Sequence, residues 1–186
     1  MLIAQQKRKE NIAEYLLYLW QVEDLIRACN LDIDTIDRQI VGRFEADEAT
    51  RAEIRDWYES LLMMMQHEHI KEKGHLQISK NVIIRLTDLH RQLLASDKFP
   101  QYRAEYYQTL PVIVELRSRQ PEDERDDELT TCFDALYGVM MLRLQGKEIS
   151  EGTSKAINQI AHFIGTLAAY FKKDEEKPIF EDDDIS

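Results

Sequence analysis

Tyr15 to Trp20, YLLYLW, are six apolar positions in a row inside the stretch NIAEYLLYLWQVEDLIRACN, residues 11–30. At about 100° per residue those side chains point all the way round a helix. A helix that is apolar on every side has to be wrapped by others. The pattern therefore predicts a first helix from about Gln5 to Cys29, enclosed by the rest of an all-helical fold.

Similar patterns recur down the chain. Asp32 is the expected N-cap of a short second helix through Ile33, Ile36, Ile40 and Val41, closed by Gly42. A third, from near Ala49 to Gly74, carries Ile54, Trp57, Tyr58, Leu61, Leu62, Met64 and Met65 on one face. The Met63–Met65 run reads as core filler, with an adaptable partner surface as the alternative. A fourth helix, His75 to Ala95, buries Ile78, Val82, Ile83, Leu86, Leu89, Leu93 and Leu94. A fifth starts at Pro100 and is expected to kink or split at Pro111, which lacks a backbone donor.

The charged stretch RQPEDERDDE, residues 119–128, reads as a linker to a terminal helical hairpin. In that hairpin Leu129, Phe133, Leu136 and Met140 form one near-heptad seam, and Ile157, Ile160, Ile164, Leu167 and Phe171 the other. Gly138 and Gly165, inside these helices, suggest close helix approach. Phe163 and Tyr170, seven apart, make a second apolar strip, which either the first five helices cover or, the preferred reading, a second copy covers in a two-fold contact. Residues 174–186 read as a disordered acidic tail. The fold expected is all-α: an antiparallel helical bundle of six or seven helices, one domain over residues 1–173, dividing, if anywhere, near 119–128.

Composition agrees. Only 6 Gly and 4 Pro leave few turns, which suits long helices. A 186-residue chain buries about 70% of its surface and needs neither metal nor disulfide to fold. The formal charge of −11, with no segregated basic patch, argues against nucleic acid as a partner. Cys29 and Cys132 are far apart, form no Cys-x-x-Cys and fall on apolar faces, so both read as buried thiols. MLIAQQKRKE puts its apolar residues before its charges, the reverse of a signal peptide, and no apolar run approaches the ~18 residues of a membrane helix. The expected setting is the cytoplasm, with no membrane contact.

Candidate chemistry is sparse. Glu10, Glu14, Gln21 and Asp24 share one sector of the first helix, and Glu23 with Arg27 reads as a surface i,i+4 pair. Glu68, Glu72 and His75 would share a helical face, and Glu72-x-x-His75 has the spacing of a di-iron carboxylate motif. The second copy such a site needs is missing; the nearest match, Gln159-x-x-His162, has an amide in place of the carboxylate. His67 and His69 point to opposite sides of a helix. Glu53-x-x-Asp56 has half of the acidic pair used by helical nucleotide pyrophosphatases, but Glu45-x-x-Glu48 is too close in sequence to face it. There is no glycine-rich phosphate loop and no Gly-x-Ser-x-Gly. The tail IFEDDDI, residues 179–185, is faintly similar to the acidic tip of bacterial single-strand-binding proteins but ends Ile185-Ser186 instead of Pro-Phe, so a solvating acidic end is expected.

KRKENIAEYLLYLWQVEDLIRA, residues 7–28, and KGHLQ, residues 73–77, resemble a family of bacterial helical proteins defined only as a domain of unknown function. The resemblance runs from Met1 to about Lys173 and implies an all-helical, bacterial, cytoplasmic protein; it carries no catalytic role onto any residue. Together these features predict a non-catalytic helical bundle, without metal or cofactor, that acts by protein–protein contact or self-association. The alternative is a metal- or small-ligand-binding bundle enzyme with its site around Glu14, Gln21 and Asp24, or around Glu68, Glu72 and His75.

Overall fold

Asn11 interrupts the first expected helix. In the computed structural model, which describes residues 2–122 and 125–180, the chain forms α1 (Leu2–Glu10) and α2 (Ile12–Ala28) instead of one rod. The Asn11 side-chain oxygen accepts the Ala13 N–H at 2.9 Å, so asparagine caps a new helix rather than continuing the old one. This break brings the described residues to eight α-helices, against the six or seven expected. The others are α3 (Ile33–Gln39), α4 (Glu48–His67), α5 (Gln77–Ala95), α6 (Pro100–Ser118), α7 (Glu128–Leu144) and α8 (Glu151–Glu176). A 3-10 turn at Val41–Arg43 follows α3, and no strand occurs among the described residues.

The helix starts follow the sequence closely. Asp32, Asp47, Asp127 and Ser150 each cap a helix by accepting a first-turn N–H, and Pro100 opens α6. The stops were harder to foresee. Helix α4 ends at His67, well before Gly74. The His69 N–H donates to the Gln66 carbonyl and the Ile70 N–H to the Met65 carbonyl, a Schellman closure with His69 at φ 57°. The same closure ends α2 through Asn30 and Leu31, and α7 through Gly146.

Pro111 does not split α6, which runs through it. Pro111 and Tyr107 are both exposed, so the carbonyl deprived of its donor lies on the solvent side. Nor does α8 stop near Phe171. It continues to Glu176, the Ile179 N–H donates to Asp174, and the Phe180 ring packs 5.5 Å from Phe99. Residues 174–180 are therefore not part of a disordered tail, and the rest of the expected tail, residues 181–186, lies outside those described.

The chain divides into two compact units, residues 1–10 with 14–82, and 11–13 with 83–186. The boundary falls inside α5, while the charged 119–128 stretch lies within the second unit. The core of the first unit gathers Val22, Ile26 and Cys29 of α2, Ile36 of α3, and Ile54, Tyr58, Leu61, Leu62 and Met65 of α4. None of the Tyr15–Trp20 side chains is exposed. In the second unit α6, α7 and α8 pack on one another and bury Tyr102, Ile113, Leu129, Phe133, Ile160, Phe163 and Leu167.

Candidate functional site

Two constellations stand out, one polar and one apolar. The polar one, in the first unit, is built on Glu23. This glutamate lies four residues after Leu19, three after Trp20 and three before Ile26, so it sits in the buried stripe of α2 and is 0% exposed. A carboxylate there needs donors. Its Oε2 lies 2.7 Å from His75 Nδ1, and its Oε1 accepts the Leu76 N–H at 3.2 Å and the Ser79 hydroxyl at 3.0 Å. Trp20 stacks on the imidazole, ring centroids 4.0 Å apart.

One turn on, Arg27 donates to the carbonyls of Ile70, at 3.3 Å, and Gly74, and pairs with Asp24 at 2.8 Å. Glu68 accepts the Gln77 N–H at 2.7 Å. Glu23 and Glu68 thus both meet N–H groups at the start of α5, where the helix dipole favours negative charge. The arrangement straps the α4–α5 loop to α2. Glu23 is therefore not a surface partner of Arg27, as its spacing suggested. The signal that could have found it is its register with Leu19, Trp20 and Ile26.

Of the expected site residues, Asp24, Glu68 and His75 fall within this strap, and Glu14, Gln21 and Glu72 do not. Glu14 is exposed and pairs with Lys7 at 3.2 Å; Gln21 is half-buried. Glu72 is exposed, and His75 lies in a loop because α4 has already ended, so the i, i+4, i+7 alignment of Glu68, Glu72 and His75 does not form. Glu45 and Glu53 line a small hollow of about 170 Å³ beside Phe44 and Ile54. Among the described residues no three His, Cys, Asp or Glu side chains are grouped as metal ligands. Cys29 and Cys132 are free and buried, and burial, aided by Glu128, pushes the Cys132 thiol up to about 12.

Phe163 does not form an exposed ridge with Tyr170. Its ring is fully buried in the second unit against His90, Tyr102 and Tyr106, and Tyr170 is half-buried between Phe99 and Tyr102. The strip separates from the Ile157–Phe171 seam on a helical wheel, but α5 and α6 side chains meet it.

The apolar constellation is an open groove of about 720 Å³ in the second unit. From α6 and its C-cap it takes Val112, Glu115, Leu116 and Arg119, and from α7 Ala135, Gly138, Val139 and Leu142. Each set is an i, i+3, i+4, i+7 stripe. The first turns of α8 close it with Ser150, Gly152, Thr153, Ala156 and Ile157. A Cβ added at Gly138 or Gly152 would meet nothing within 4 Å, so Gly138 opens the groove rather than drawing two helices together. Gly165 also faces open space, and nothing in the structure explains it. The polar rim includes Arg119, bonded to Glu115 at 2.6 Å.

A family model described as domain of unknown function DUF4924 matches residues 1–178. The chain belongs to this family. All eight helices fall inside the match, so the Glu23 strap and the groove both belong to the family domain. No curated protein and no solved structure matches the chain.

Proposed function

We propose that this chain is a non-catalytic protein of the bacterial cytoplasm that works by protein–protein contact through the groove on α6, α7 and α8. The observation that carries the reading is that groove. Its lining includes Val112, Leu116, Val139, Leu142 and Ile157, it lacks side chains at Gly138 and Gly152, and its volume of about 720 Å³ would take several large side chains of another polypeptide. The polar candidates favour a binding role over catalysis by their structural engagement: Glu14 and Asp24 pair with Lys7 and Arg27, Glu68 caps a helix, and His75 contacts Glu23. The charge of −11 disfavours nucleic acid, and no helix among the described residues is long and apolar enough to cross a membrane.

Gly138→Leu tests the reading, because it adds a side chain to the lining of the groove at a position where a Cβ meets nothing within 4 Å. Full-length chain and variant are used as baits in native cytosol, with a differently tagged copy of the chain present. The expected result is a polypeptide, foreign or a second copy, held stoichiometrically by the parent chain and lost from the variant. Identical profiles for both baits would overturn the reading.

A further inference from the structure

We propose that the groove is filled by a second copy of this chain, which inserts the exposed stripe Tyr107–Pro111–Val114 of its own α6. The inference rests on the reading of the groove as a protein-contact surface and names the partner.

The stripe is the counterpart the groove lacks. Tyr107 and Val114 are 60% and 54% exposed, among the most exposed large apolar side chains described, and Pro111 between them is exposed too. Spaced i, i+4, i+7, they share one face of α6. The other exposed large hydrophobics, Ile3, Leu25, Met63, Ile84 and Leu144, fall one to a helix and form no stripe.

The dimensions match. Tyr107 to Val114 spans seven residues, about 10.5 Å of helix, and so do the groove walls from Val112 to Arg119 and from Ala135 to Leu142. Large side chains on the stripe would meet a lining without side chains at Gly138 and Gly152, the large-into-small fit that brings helices to about 8–10 Å.

Symmetry follows from placement on α6. Val112 and Leu116 face the groove, and the stripe lies roughly 120° away around the same helix. A two-fold contact lets each copy's stripe enter the other's groove and leaves neither feature unpaired. Two copies of charge −11 repel, so the contact is apolar in origin and tightens as salt screens that repulsion.

Analytical ultracentrifugation of the full chain at tens of micromolar tests the proposal. The parent chain is expected to sediment as a dimer, more completely at 0.5 M than at about 0.05 M salt. Gly138→Leu and Val114→Lys should each weaken it at least about ten-fold with helicity unchanged, and together by less than the product of the two effects. A monomeric parent chain would overturn the proposal, as would a dimer indifferent to either variant or effects that simply multiply. If the parent chain is monomeric yet the cytosol bait experiment still depends on Gly138, only the identity of the occupant is wrong. If neither depends on Gly138, the contact reading falls as well.

Discussion

A carboxylate taken wholly out of water is stable only when its lone pairs are answered, and Glu23 is answered three times. Glu23→Ala would leave the Leu76 N–H and the Ser79 hydroxyl unsatisfied, free the imidazole and open a cavity on α2. The expected loss is about 2–4 kcal/mol, read from the shift of the urea midpoint. A loss under about 1 kcal/mol would mean that water or a neighbour replaces the strap without cost. His90 makes a second residue-scale case. It is buried, its Nδ1 lies 2.6 Å from the Tyr102 hydroxyl, and three aromatic rings surround it. Burial holds its pKa below the ordinary 6.5, with Glu128 opposing. The unfolded chain then binds a proton more readily than the folded one. His90 therefore contributes stability that is present above about 6.5 and lost as pH falls through its lower folded value. The stability of His90→Gln should depend less on pH between about 7 and 5 than that of the parent chain. Parallel profiles in chemical denaturation would count against it.

At the scale of the element, starts and stops were unequally legible. A start is written in one side chain: Asp32, Asp47, Asp127 and Ser150 each stand one residue before a helix and bond into it. A stop without glycine is not. His69 takes the left-handed position that glycine usually fills, so a reading that waits for Gly74 runs α4 too far and aligns Glu68, Glu72 and His75 on a face that does not exist. The arrangement is strained and exposed, which makes it correctable. His69→Gly relieves the left-handed penalty of about 1 kcal/mol or slightly more and gives some back in unfolded-state entropy. A net gain of a few tenths to about 1 kcal/mol in thermal or urea unfolding is expected. A clear loss would show that the imidazole makes a contact worth more than the strain.

Across the whole molecule, the helical class was legible because it rests on totals and periods: few glycines and prolines, and apolar spacings of three and four along most of the chain. What faces what was not. The same periodicity that put Phe163 on a separate strip could not say that His90, Tyr102 and Tyr106 would meet it. The groove escaped notice for a related reason, since it is made by side chains that are absent, at Gly138 and Gly152. Net charge can be taken from the sequence without knowing any contact, and it yields the last prediction. With 35 acidic against 24 basic residues, repulsion in the folded chain exceeds what its exposed ion pairs return, because such pairs contribute only about 0–1 kcal/mol each. Salt weakens both terms, but the surplus is the larger. The melting temperature should therefore rise as sodium chloride increases from about 0.02 to 0.3 M, over which the Debye length shrinks from roughly 20 Å to under 10 Å. Calorimetry at constant chain concentration, on the Gly138→Leu variant so that dimerisation does not contribute, measures it directly. A melting temperature that falls with salt would mean that pairs such as Arg85–Glu175 and Arg55–Asp34 contribute more than the net charge costs.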